Sequence, residues 1–247
     1  MTDLVALRRA NAKRWANARL TRNFASVAKH LVAPDAKTRY RNVEAKTGVP
    51  WAVIAVIHER ESSQDWTGSL AQGDPWNGIS VHVPAGRGPF SSWEDAAIDA
   101  LVNCAPHAAR NEDWSIGGTL TKLEEYNGLG YASRDRPSPY LWSGTDQYLS
   151  GKYTRDGVYD PNAVDSQLGC AGLLLAMMTL DPTITFTGVT IRPAAASTAP
   201  VRRASPKPSS RDVAKPLPPS ITNPAKGSVG AAIASVLSAI LATFKRK

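Results

Sequence analysis

The first regularity along the chain is helical. Residues 3–31 place Leu4, Leu7, Trp15, Leu20, Phe24 and Val27 among many arginines, a spacing that predicts one amphipathic helix or two. A further helix is expected from Asp35, a candidate cap, to about Lys46, with Gly48 as its stop. Pro50 then opens a helix where its missing N–H costs nothing. The run Trp51-Ala52-Val53-Ile54-Ala55-Val56-Ile57 is apolar on every side, which is the pattern of a buried helix. It ends in polar residues: His58, Glu59, Arg60, Glu61, Ser62 and Ser63.

The pattern changes over residues 64–92. Gly68, Gly73, Pro75, Gly78, Pro84, Gly86, Gly88 and Pro89 break any helix, and a small hairpin around residues 79–83 or an irregular lobe is expected there. Ser91 and Ser92 before Trp93-Glu94-Asp95 form a helix start of the capping-box kind, and Ile98, Leu101 and Val102 continue it. Another helix is predicted over 116–126, stopped by Asn127-Gly128. Residues 129–160 read as loop, rich in aromatics: Tyr131, Tyr140, Trp142, Tyr148, Tyr153 and Tyr159. A last helix is expected over about 163–180, with Leu173, Leu174, Leu175, Met177 and Met178 as core. From about Thr190 the composition shifts to Pro, Ala, Ser and Lys/Arg, the signature of an extended disordered linker over 189–227. Residues 228–244 are 17 uncharged residues, closed by Lys245-Arg246-Lys247.

These elements predict one mainly α domain over 1–188, with basic N-terminal helices in 1–46. A hairpin or irregular lobe would form one wall of a cleft, and an apolar tail helix would occupy 228–247. Length and a 43% hydrophobic content suit such a core with appendages.

Charge refines the picture. The net +8 conceals two basic ends around an acidic middle: 11 Lys/Arg against 3 Asp/Glu in 1–46, 8 against 17 in 47–185, and 10 against 1 in 186–247. A single basic groove for nucleic acid does not fit this distribution. Basic ends suit an anionic wall or membrane surface, or are simply solvated faces. Cys104 and Cys170 have no metal-binding spacing, and the four histidines make no HExxH motif, so neither a metal nor a cofactor is expected. Two buried free thiols are the default, and one disulfide is the alternative outside the cytoplasm. The N-terminus has no apolar stretch after its basic residues and is not a classical signal peptide. The tail offers a route to the envelope. Its length is at the short limit of the ~17–25 residues that span a bilayer, and a helix lying on the membrane surface is the weaker version. Otherwise the protein stays cytoplasmic until released.

Glu61 is the residue that carries chemistry. Trp51, Ile54, His58 and Glu61 share one helix face, so the carboxyl emerges where a buried apolar helix meets the Gly-rich lobe. Desolvation there raises its pKa and lets it donate a proton to a glycosidic oxygen near neutral pH. The plainer reading is a helix-end glutamate paired with Arg60.

The stretch Thr47-Gly48-Val49-Pro50…Ala55-Val56-Ile57-His58-Glu59-Arg60-Glu61-Ser62-Ser63 resembles the opening motif of soluble lytic transglycosylases and goose-type lysozymes. In that family a helix after such a turn ends in Glu-Ser, and the Glu is the catalytic acid. Glu125-Tyr126-Asn127-Gly128 resembles the second family motif, which supports the sugar cleft. The resemblance implies a lysozyme-like α+β fold and cleavage of the MurNAc–GlcNAc bond of peptidoglycan glycan strands. It assigns Glu61 the acid/base role, Ser62 a substrate-positioning or helix-stabilising role, and Tyr126 and Asn127 a cleft role. The chain departs from the pattern between the motifs, where the family carries Gly-Leu-Met-Gln. Here stand Gly73-Asp74-Pro75-Trp76 and His82-Val83-Pro84-Ala85-Gly86, a style nearer to phage-type endolysins. The departure leaves the reaction open. A transglycosylase needs one carboxyl group, whereas a hydrolase normally needs a second. Asp74, beside the candidate sugar-stacking Trp76, is preferred over Asp65 for that role, against the alternative of an Asp-Pro turn. His58 and His82 read better as core or surface histidines than as cleft lining. The rival functions are a related chitinase or chitosanase, and a non-catalytic wall-binding or structural protein.

Overall fold

The computed structural model describes residues 2–71, 73–155 and 157–187. These form eight α-helices and one two-stranded hairpin. The expected linker over 189–227 and tail over 228–247 lie outside the described residues. Among the described residues no helix is long and apolar enough to cross a membrane.

The basic N-terminus makes two helices, α1 (Leu4–Asn17) and α2 (Ala25–Leu31). The Asp3 carboxylate caps α1 by accepting the Val5 and Ala6 amides. In α3 (Pro34–Thr47) Ala33 is the N-cap and Pro34 the first helical residue, so Asp35 is an acidic first-turn residue and not the cap expected from the sequence. Gly48 ends α3 in the left-handed region, at φ 73°, as a C-terminal glycine does.

Helix α4 (Trp51–Ser62) is central to the described residues, and Trp51 through Ile57 are all buried. It is surrounded by α2, α3, α6 (Ile116–Asn127) and α8 (Cys170–Leu180), the last contributing Leu173, Leu174 and Met177. A helix with neighbours on every side has no face to leave polar, which is why the run lacks an amphipathic pattern. In α5 (Trp93–Val102) the Ser92 hydroxyl accepts the Asp95 amide, the expected cap.

Of the two readings of residues 64–92 the irregular lobe holds and the hairpin does not, and the start of the last helix is corrected. No strand forms among the described residues of 64–92. There the Val81 and His82 amides donate to Asp74, and Pro84 and Pro89 have no N–H to give, so pairing goes no further than an isolated Gly68–Pro75 bridge. The lobe is irregular, and the hairpin lies later, in the segment expected to be loop: β1 (Lys152–Arg155) pairs antiparallel with β2 (Val158–Asp160). The last helix also starts later than residue 163. Asp165 is drawn inward by Arg60 and Lys152, and a Cβ on Gly169 would come within 2.3 Å of the Leu141 carbonyl oxygen. The segment before Cys170 is therefore an ordered loop.

A buried carboxyl at the α1–α6 contact went unseen in the sequence. Glu124 is 2% exposed and accepts a hydrogen bond from Asn11 Nδ2 at 3.2 Å. Burial pushes its pKa up to about 7, against the opposing pull of Asn11 and Arg14. Ionisation is thus disfavoured in the folded state. Stability is greatest below the ordinary carboxyl pKa and is lost as pH rises through about 7. Glu124→Gln should therefore match the wild type near pH 4.5 and exceed it by about 1–3 kcal/mol at pH 8. Urea midpoints at the two pH values check this, and a gap that does not grow with pH would refute it.

Candidate active site

Glu61 lies one residue before the end of α4, half-buried, where the chain turns sharply. Ser63 and Gln64 both adopt left-handed conformations, at φ 53° and 60°. Two such residues in succession without glycine are uncommon and need holding. Gln64 supplies the hold: its side-chain amide donates to the Tyr40 hydroxyl and to the His30 carbonyl. Ser62 Oγ donates back to the His58 carbonyl at 3.2 Å, so its visible role is to finish the helix. The irregular lobe closes on this end. Gly73, at φ 72°, approaches so closely that a Cβ there would sit 2.9 Å from the Glu61 carbonyl oxygen.

Tyr140, at the start of the short helix α7 (Pro139–Trp142), donates its hydroxyl to Glu61 Oε1 at 2.9 Å. Burial raises the Glu61 pKa to about 7, partly opposed by the Tyr140 hydrogen bond and the Arg60 charge. Near neutrality the group can therefore give a proton and take one back. Arg60 does not pair with Glu61. Its guanidinium is buried, donates from Nη2 to Asp165 Oδ2 at 3.0 Å, and lies over the Tyr140 ring at 4.8 Å. Tyr126 is buried and donates to the Leu70 carbonyl at 2.8 Å. It anchors the lobe, and it feels the Glu61 charge, which adds to burial in raising its own pKa.

Tyr140 also lines a small pocket that is partly open to solvent, together with Asn127, Tyr131, Lys152, Tyr153 and Asp165. Glu61 is not part of that lining, and Tyr140 is what the two share. Tyr131, Tyr153 and Tyr159 pack edge to face beside it, with ring centroids 5.2–6.4 Å apart.

Asp74 and Trp76 stand apart from this arrangement. Asp74 Oδ1 meets His82 Nδ1 at 2.6 Å, and Oδ2 accepts the Val81 and His82 amides. Burial would raise its pKa, but these hydrogen bonds outweigh burial and hold it below the ordinary value. Trp76 donates its indole N–H to the Trp66 carbonyl at 2.8 Å and packs against the core. Both residues shape a smaller depression with Ser80, Arg87 and Asp99, and Glu61 is not among its walls.

His58 is a core residue. It is 0% exposed and sits among Tyr40, Trp66 and Trp93, with Nδ1 facing the Tyr40 hydroxyl and Nε2 facing the Asp65 carbonyl, each at 3.0 Å. Burial lowers its pKa to about 4, so it is neutral at physiological pH. Cys104 and Cys170 are buried free thiols.

Tyr140 and Lys152 were not singled out in the sequence. Their signal in the sequence is faint: an aromatic-rich stretch with nothing in its spacing to aim one tyrosine at a glutamate 79 positions earlier. The chain matches no protein-family model, no curated protein and no solved structure.

Proposed function

We propose that the protein is a glycosidase that cleaves the MurNAc–GlcNAc bond of peptidoglycan, on a divergent lysozyme-like fold, with Glu61 as general acid and then base. The observation that carries this reading is the Glu61 carboxyl itself. It stands at the end of the central buried helix, has a pKa of about 7, and is oriented by the Tyr140 hydroxyl beside a tyrosine-rich pocket. A protonated carboxyl in that setting donates to the leaving oxygen, and its carboxylate then accepts a proton from the attacking hydroxyl.

The reaction type follows from where the second carboxylate would have to be. Both Asp74 oxygens are engaged by the lobe's own donors, so Asp74 acts as a clasp for residues 74–82. That favours chemistry run by one carboxyl group. Glu61 protonates the glycosidic oxygen, and the ionised Glu61 then removes the proton of the sugar's own 6-hydroxyl as the anhydro ring closes. Mass spectrometry of muropeptides released from sacculi tests this directly, because the anhydro product is one water lighter than the hydrolytic one. Asp74→Asn should keep most of the rate. A hydrolytic product together with a collapse of rate in Asp74→Asn would assign Asp74 the second catalytic role.

A further inference from the structure

We infer that the pocket beside Glu61 selects a glycan carrying a carboxylate, and that Lys152 is the residue that reads it. The inference rests on the glycosidase reading above and adds a charge requirement to its substrate.

Arg60, Asp165 and Lys152 form one ionic group. Asp165 takes Arg60 Nη2 on Oδ2 at 3.0 Å and Lys152 Nζ on Oδ1 at 3.3 Å. Two cations share one anion, so these three side chains sum to one positive charge, which the Glu59 and Glu61 carboxyls beside Arg60 offset only when they are ionised. The three members differ in access. The Arg60 and Asp165 side chains are 3% and 6% exposed, whereas Lys152 is 30% exposed on strand β1. The surplus charge is therefore presented to the pocket by Lys152. The pocket lining contains no carboxylate besides Asp165, which is already doubly engaged.

Such a wall favours an anionic sugar over a neutral one, and disfavours a cationic one. A charge-assisted contact to a partly desolvated ammonium is worth more than a neutral hydrogen bond. The side-chain amide of Asn127, in the same lining and without a hydrogen-bond partner among the described residues, remains available to an amide or hydroxyl of the same sugar. In peptidoglycan the carboxylate has two sources: the free lactyl group of a muramic residue, or the peptide stem that replaces it. Chitin has neither, and chitosan carries the opposite charge.

Calorimetric titration of the full chain with four tetrasaccharides tests the idea. One has free lactyl carboxylates, one has peptide stems, one is neutral N-acetylglucosamine, and one is glucosamine. An anionic ligand is expected to bind about tenfold more tightly than the neutral one, with the advantage shrinking as salt is added. Whichever anionic ligand binds more tightly identifies the source of the carboxylate. Lys152→Gln should bring the anionic-to-neutral ratio towards one, and Lys152→Arg should largely keep it. A wild-type ratio near one overturns the inference, as does a ratio that Lys152→Gln leaves intact. If Lys152→Gln does not fold, the wild-type ratio and its salt dependence decide. Cleavage of sacculi without charge preference fells this inference and leaves the glycosidase. Charge-selective binding without cleavage fells the reaction and leaves the site.

Discussion

Glu61→Gln is expected to abolish lysis of sacculi while leaving the protein folded. The amide keeps the size of the side chain and an oxygen to accept the Tyr140 hydroxyl, so the packing at the end of α4 is preserved. It cannot deliver a proton, and the loss should be at least the ~10²–10⁴-fold of general acid catalysis. A second signature separates chemistry from damage. The folded state disfavours ionised Glu61, so the wild type loses stability as pH rises through about 7. The glutamine variant escapes that loss. It should be inactive, and at pH 8 no less stable than the wild type in urea. The wild-type rate should likewise fall as pH rises through about 7, where the acid loses its proton. Near-normal lysis by the variant would remove Glu61 from the mechanism.

The largest effect on stability is expected from Asp165→Ala. Burial alone would raise the Asp165 pKa, but Arg60 and Lys152 outweigh it and hold the carboxylate ionised. Its removal leaves the Arg60 guanidinium buried without a counterion. Only the Leu168 carbonyl, 3.3 Å from Nη1, would remain as a hydrogen-bond partner, and Nε already has none among the described residues. Breaking a buried pair from one side costs about 3–5 kcal/mol. Urea unfolding at pH 7 measures the difference, and a loss below about 1 kcal/mol would show that the pair is not buried as described. Replacing both partners together, as Arg60→Met with Asp165→Leu, should recover much of the loss, because an apolar pair needs no counterion.

What could be read from the sequence was what depends on neighbours along the chain. The all-round apolar run of α4 announced a central helix, and Gly48, Ser92 and Gly128 marked ends through local backbone chemistry. Glu61 was legible for the same reason, since its place at a buried helix end follows from the run before it. What escaped depends on pairings across the chain. Asp74 is the clearest case: the Asp-Pro dipeptide suggested a turn or a catalytic carboxylate, but its partners are residues 81 and 82, seven and eight positions on. Those bonds consumed the amides that a hairpin would have used. Tyr140 and Asp165 escaped likewise, because their partners Glu61 and Arg60 are 79 and 105 positions away.

The central position of α4 has a consequence for how this protein can change. In many catalysts the reactive group sits on a loop that can be revised without disturbing the frame. Here Glu61, the proposed acid, sits near the end of a helix packed against α2, α3, α6 and α8. Trp51 to Ile57 are all buried, so a substitution there should disturb the core and Glu61 together, and the proposed catalysis should not be tunable there alone. Freedom to adapt lies instead in the walls, in the hairpin and in the lobe over residues 64–92. Variants that alter substrate preference should gather there, while the helix tolerates little beyond what it already is.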